Sequence, residues 1–217
     1  MVNKNFLISV ITAGKKFGTE WIFRNLNLEI NPAEKIAILG LNGSGKSTLL
    51  QALSGYLTLN EGEIFFTLND TKIDSEKMYK YCSYASPYLD LIEDFTLEEL
   101  IKHTKVYKPF INHLSTQQII EISGMGEHST KFIHQFSSGM KQRLKLTLAI
   151  LADAPILLLD EPTSNLDANV MRWYQTMIET YAMHKTIIVC SNSIKEEYLF
   201  CTKTIVLEDY KFAKKSL

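Results

Sequence analysis

The chain alternates between two hydrophobic periods. Strand-like apolar runs occur at Phe6–Ile11, Leu26–Ile30, Lys35–Leu39, Glu63–Thr67, Ile156–Leu159, Thr186–Cys190 and Thr204–Leu207. Three of them, IAIL, ILLL and TIIVC, are continuous apolar blocks rather than alternating ones. Such blocks suit strands covered on both faces, as in a parallel sheet between other layers. The runs up to Ile30 alternate more and are interrupted by Gly18, the pattern of an antiparallel edge. Helical spacing occupies Ser47–Ser54, Thr96–Tyr107, Ser115–Gly124, Met140–Ala152 and Ala168–Met183. Gly55 follows the first as a stop signal, and Thr96 with Glu99 reads as a capping box. Residues 88–137 hold almost no strand runs and read as a helical insertion between two halves of the sheet.

The predicted architecture is therefore α/β: a single domain over 1–217 with a parallel core, an antiparallel β edge and an inserted α-helical subdomain. The core is expected over 1–87 and 138–217, and the helical subdomain over 88–137.

Bulk properties narrow the function classes. The 217 residues are 46% apolar, and 23 basic against 24 acidic residues leave a net charge of −1. That balance provides no general attraction to nucleic acid or to an anionic surface. The basic tail of Lys211, Lys214 and Lys215 reads as a solvated end. No run reaches the ~18–20 apolar residues of a membrane span. Cys82, Cys190 and Cys201 form no close-spaced metal pattern and leave one cysteine over. These features predict a reduced, cytosolic protein.

Two stretches carry chemistry. The first, GLNGSGKST from Gly40 to Thr48, matches G-x-x-x-x-G-K-[ST] between a strand and a helix. Gly40, Gly43 and Gly45 let the backbone curl so that N–H groups of Leu41, Asn42, Gly43 and Ser44 face phosphate oxygens, ahead of a positive helix tip. Lys46 suits the β- and γ-phosphates, Ser47 suits Mg²⁺, and Thr48 supports the α-phosphate side. The motif resembles the phosphate-binding loop of P-loop NTPases, which implies a RecA-like parallel core. The second stretch is ILLLDEP, whose buried strand ends in Asp160 and Glu161. Open α/β sheets bind ligands beyond the carboxyl ends of their strands, so these acids should face the phosphate loop. Asp160 suits metal binding through water, and Glu161 suits orienting an attacking water.

The order of Gly40–Thr48, Ser138–Gly139, Ile156–Glu161 and Ser164–Asp167 resembles an ABC-type ATPase, the nucleotide-binding subunit of ABC transporters. The resemblance spans nearly the whole chain. It implies ATP and Mg²⁺ as cofactors and a head-to-tail homodimer, or a heterodimer with another ABC ATPase subunit. It also implies an integral-membrane permease partner and no nucleic acid. The chain would then lie in the cytoplasm, peripheral at the inner face of the cell membrane.

Within that resemblance Ser138 and Gly139 cover the partner's nucleotide, while either Ser137 or Ser138 also caps the helix. Asp167, in the run SNLD, couples the two sites and caps the helix at Ala168. Phe17, in KKFGTEWIF, is the candidate adenine stacker, with Trp21 second.

Three positions depart from the family pattern. The signature continues as Met140 and Lys141, where Lys141 adds attraction for phosphate. The loop that carries a Gln in the family falls at Ser86 or Pro87. Asn192 stands where the family has a switch His, while His184 lies on the far side of the strand. Asn donates a hydrogen bond but cannot carry charge or shuttle a proton. ATP binding with slow hydrolysis is the expectation, with Glu161, Lys46 and Asn192 as the catalytic set. Residues 88–101, with Tyr88, Leu89, Leu91 and Phe95, are the candidate docking face. Two further readings remain open: a soluble ABC ATPase, for example in iron–sulfur assembly, or a weakly hydrolysing regulatory subunit paired with an active paralogue.

Overall fold

The computed structural model describes residues 5–164 and 166–211. Lys214 and Lys215 of the basic tail and Asn165 of the SNLD run lie outside them.

Five parallel strands form the central sheet. They are β3 (Lys35–Leu39), β6 (Cys82–Ala85), β7 (Ile156–Asp160), β8 (Thr186–Ser191) and β9 (Lys203–Val206), in the order β6-β7-β8-β3-β9. A second, antiparallel sheet runs β2-β1-β4-β5, from β1 (Phe6–Phe17), β2 (Glu20–Ile30), β4 (Glu61–Leu68) and β5 (Thr71–Ile73). Helices α1 (Lys46–Leu53), α2 (Leu97–Tyr107), α3 (Thr116–Ser123), α4 (Ser138–Leu151) and α5 (Ala168–Tyr181) complete the fold. The parallel core and the antiparallel edge are as the hydrophobic pattern predicts.

The continuous apolar blocks are explained by two cores, one on each face of the parallel sheet. Leu157, Leu159, Ile187 and Val189 face a core shared with α2, α3, α4 and α5. Ile156, Leu158, Ile188 and Cys190 face the opposite way, onto α1 and the antiparallel sheet through Phe6, Ile8, Phe23 and Phe66. Alternation persists in these strands, but both faces are dry, so both take apolar residues.

Strand β6 is missing from the apolar runs of the sequence. It is a four-residue edge strand, and Ser83 and Tyr84 break its apolar character. Strand β1 runs six residues past its expected end at Ile11, through register shifts between Val10 and Ala13 and between Ala13 and Lys15. Thr12 at φ 46° marks the irregularity that hides the continuation from a period-two reading.

Local caps follow the sequence. Thr96 and Glu99 form a reciprocal capping box on α2, and Ser115 and Gln118 form another on α3. α1 ends at Leu53 with Ser54 as its C-cap, and Gly55 follows in the left-handed region. His184 is exposed just before β8.

The register of β3, β7 and β8 builds the site. β8 lies between the other two, with Leu39 opposite Ser191 and Asp160 opposite Cys190. The phosphate loop after β3, the acids ending β7 and the loop after β8 therefore leave one edge of the sheet side by side.

Candidate functional site

The phosphate loop takes its shape from its glycines. Gly43 and Gly45 have φ of 76° and 103°, in the region that L side chains rarely adopt. At Gly45 space is also lacking: an added Cβ would lie 2.1 Å from Cγ2 of Ile22. No side chain caps the N-terminus of α1. Its first-turn N–H groups are thus available to an anion.

Lys46 is 4% exposed and folds back over the loop, donating to the carbonyls of Gly40 at 2.9 Å and Leu41 at 3.1 Å. Its Nζ also stands 3.6 Å from Oε1 of Glu161. The loop's outer flank is gripped by the C-terminal segment. The Leu41 N–H donates to Glu208 Oε1 at 2.7 Å, and Lys211 Nζ donates to the Gly43 carbonyl at 3.4 Å. Leu41 and Asn42 are exposed, whereas Ser44 is buried with its hydroxyl unpartnered.

Asp160 is buried at the end of β7. Its Oδ2 accepts from Tyr84 Oη at 3.4 Å and Ser86 Oγ at 3.5 Å. Burial pushes the Asp160 carboxyl above its ordinary value. The Ser47 hydroxyl opposes the rise, the adjacent Glu161 adds to it, and Tyr84 and Lys46 oppose it. Oδ1 is buried without a partner. A bare carboxylate oxygen beside a serine hydroxyl fits Mg²⁺, which takes oxygen ligands, keeps several waters and needs only one or two carboxylates beside substrate phosphates. Among the described residues no cluster of three or more His, Cys, Asp or Glu could hold a metal without such help.

Glu161 is the strained member of the site, with a φ of 44°. Its N–H donates to the Cys190 carbonyl at 2.9 Å, and its carbonyl accepts from Ser164 N–H at 3.1 Å. Asn192 is exposed immediately after β8.

Phe17, at the end of β1, is 54% exposed with Lys15 Nζ 5.2 Å from its ring centre. Trp21 is half-buried, with Lys16 and Arg24 against its ring at 5.3 and 4.5 Å. Of the two rings Phe17 is the more exposed.

At the tip of α4 the structure separates the two serines. Ser137 is the N-cap, its Oγ accepting from Met140 N–H at 3.2 Å, while Ser138 stands exposed in the first turn beside Gly139. Lys141 does not stand free for a phosphate here: it is ion-paired with Glu93. Asp167 caps α5, accepting from Asn169 N–H at 2.8 Å and Val170 N–H at 2.9 Å. Among the described residues no hydrogen bond joins Ser138, Gly139 or Asp167 to the phosphate loop of the same chain.

Tyr84, Thr163, Glu197 and Glu208 were not singled out in the sequence. Tyr84 sits in the unread edge strand, and the two glutamates sit among polar neighbours. The carboxylate near the phosphate loop and the one near Glu161 are reached only through tertiary contact.

A family model described as "ABC transporter" matches residues 23–164. The chain belongs to the ABC transporter family. This ABC transporter chain is 30% identical over 218 residues to the Fe(3+) ions import ATP-binding protein of Photobacterium profundum, covering 96% of the chain and 60% of that relative. It is 27% identical over 214 residues to the sulfate/thiosulfate import ATP-binding protein of Nitrosomonas europaea, covering 92% of the chain and 58% of the relative. The chain thus spans about three-fifths of the length of these curated relatives.

Among solved structures, a putative ABC transporter ATP-binding protein from Pyrococcus furiosus superposes with a TM-score of 0.79 at 20% identity, covering 95% of this chain and all of that one. A dimeric ATP-binding cassette bound to ADP and Pi superposes at 0.77 and 22% identity, covering 92% of this chain and 93% of that one. At such identities the likeness establishes the ABC cassette fold.

Proposed function

We propose that this chain is the ATP-binding subunit of an ABC transporter and hydrolyses ATP slowly. The observation that carries the reading is one sheet edge. There Lys46 Nζ lies 3.6 Å from Glu161, and Oδ1 of Asp160 is buried without a partner.

In this reading Gly40–Thr48 wraps the triphosphate with backbone N–H groups, and Lys46 exchanges the Gly40 and Leu41 carbonyls for phosphate oxygens. Ser47 and Asp160 hold Mg²⁺, which when bound offsets charge on the β- and γ-phosphates. Glu161 orients the attacking water, Asn192 donates to the γ-phosphate, and Phe17 stacks on adenine. Losing a positioned acid–base group where Asn replaces His slows turnover by ~10²–10⁴-fold.

Ser138 and Gly139 point away from their own phosphate loop in function and close over the nucleotide of a second subunit, identical or paralogous. Asp167 links the two sites. The core is taken as 1–87 and 138–217, with 88–137 as a helical subdomain.

The permease partner docks where the helical subdomain meets the core. A cleft of about 910 Å³ there is lined by Tyr56, Tyr79, Leu89, Lys108 and Lys145. Of the candidate docking face, Leu89 and Leu91 line the cleft, Tyr88 and Leu89 are exposed, and Leu91 and Phe95 are half-buried against the larger core. Among the described residues no helix is long and apolar enough to cross a membrane. Attachment to the cytoplasmic face through the permease follows from this reading, and the permease chooses the cargo.

The test is assembly. The Glu161→Gln protein should dimerise by size exclusion at saturating ATP and magnesium, alone or with a paralogous subunit. A protein that stays monomeric under both conditions refutes the reading.

A further inference from the structure

Glu197 is fully buried, although it ends the polar run Lys195-Glu196-Glu197, a single 3-10 turn. Its Oε1 accepts two hydrogen bonds from Thr163, from N–H at 3.0 Å and from the hydroxyl at 2.7 Å. The Ser191 hydroxyl lies near the same carboxyl group and itself donates to the Ile194 carbonyl at 3.4 Å. Oε2 has no partner. A carboxyl group taken out of water for packing alone is unfavourable, so this one needs a reason in the turn it grips.

That turn carries Glu161. Residues 161–163 are held from three sides. β8 receives the Glu161 N–H on the Cys190 carbonyl at 2.9 Å. α4 reaches in with buried Gln142, whose Nε2 donates to the Pro162 carbonyl at 3.0 Å. Glu197 takes both polar groups of Thr163. Glu197 is itself anchored, its carbonyl accepting from the buried Tyr174 hydroxyl at 2.9 Å.

A φ of 44° at Glu161 persists only while the surroundings over-determine it. Two charge-assisted bonds two residues away are part of that constraint. The loop that presents Asn192 runs between Ser191 and Glu197, so the clamp holds one of its ends; the Ser191 hydroxyl pins the other, donating to the Ile194 carbonyl at 3.4 Å and accepting from the Ile194 N–H at 3.2 Å.

We infer that Glu197 is a positioning residue for hydrolysis: it clamps the turn through Thr163, sets the direction of the Glu161 carboxylate and ties that direction to the Asn192 loop. The inference rests on the assignment of Glu161 made above. Burial pushes the Glu197 carboxyl above its ordinary value, against the hydroxyls of Ser191 and Thr163 and the Thr163 N–H, and with Glu161 adding to the rise. A site that holds such a group spends part of its stability on the clamp.

The test compares kcat with nucleotide affinity in the purified full chain. Glu197→Ala should lower kcat by about 10–100-fold, the scale of a small misplacement of a reacting group, while Kd for ATP with magnesium stays within about twofold. Glu197→Gln keeps an acceptor oxygen and should recover most of the lost rate. If Glu197→Ala does not fold, Thr163→Val against Thr163→Ser carries the test. Val should lose kcat at unchanged affinity, and Ser, which keeps the hydroxyl, should retain more of it. Equal rates for Val and Ser overturn the inference. So does wild-type kcat in Glu197→Ala while Glu161→Gln is inactive, and in that case the assignment of Glu161 survives. A fully active Glu161→Gln overturns that assignment and the inference together.

Discussion

The left-handed backbone at Glu161 predicts an inverted order of stability. Consider Glu161→Ala and Glu161→Gly. Both remove the carboxylate and its 3.6 Å approach to Lys46, so loss of that ion pair cancels between them. Both keep the N–H bond to the Cys190 carbonyl. They differ in the Cβ, which in Ala sits at a φ of 44°. A left-handed L-residue costs about 1–2 kcal/mol. Gly escapes that cost but loses ~0.4–1 kcal/mol through the greater freedom of its unfolded chain. The difference leaves the Gly variant ahead by about 0.5–1 kcal/mol.

At an ordinary helical position the sign is opposite. Lys102 on α2 is exposed, and there Gly should fall below Ala by about 1 kcal/mol. The measurement is thermal or urea unfolding of the four proteins without nucleotide, where 1 kcal/mol moves Tm by about 2–4 °C for a chain of this size. If Glu161→Ala is as stable as Glu161→Gly or more so, while the Lys102 pair shows the usual order, the backbone at Glu161 is not strained. The account of its constraint then fails. Neither Glu161 variant should hydrolyse ATP, so the gain from Gly would also show that stability is given up at this position for function.

Two further outcomes follow from the same geometry. Asn192→His restores a group able to carry charge and should raise kcat by ~10²-fold or more in a steady-state assay, within the ~10²–10⁴ range of a positioned acid–base group. An unchanged rate would mean that this exposed loop does not reach the reacting phosphate. Buried Lys185 donates to the carbonyls of Ile150 at 2.7 Å and Ala152 at 2.6 Å, at the end of α4, and burial lowers its pKa from 10.5 to about 8. Between about pH 8 and 10.5 the unfolded chain keeps a proton that the folded chain has released, so stability rises with pH across that window. Urea unfolding at pH 8 and pH 9.5 should show wild type gaining about 1–2 kcal/mol relative to Lys185→Met, and parallel changes in the two proteins refute the assignment.

What was legible in the sequence was local. The phosphate loop could be read because its glycines answer a backbone requirement set by neighbouring residues: Gly43 and Gly45 adopt positive φ whatever packs around them. The blocks ILLL and TIIVC could be read because a strand dry on both faces has no polar positions to hide it. Legibility fell where one residue's role depends on another far along the chain. Glu208 meets Leu41 across 167 residues, and Glu197 meets Thr163 across 34, yet both glutamates sit among polar neighbours as solvated acids do. The edge strand β6 was lost because it is only four residues long and Ser83 and Tyr84 interrupt its apolar character, although Cys82, Ser83 and Ala85 are buried. The cap of α4 was left open between Ser137 and Ser138, since either could cap from composition alone. The deciding fact is that Ser137 keeps extended backbone, with ψ 163°, one residue before the helix. Glu161 belongs to the same class. The sequence shows a carboxylate after a buried strand, and only the fold shows that its backbone is held where an ordinary side chain would not stay. Local rules are expected to break where function needs a group pointed against its own preference. The strained glutamate, its buried clamp and the Asn192 loop all gather at the single sheet edge where β3, β7 and β8 end.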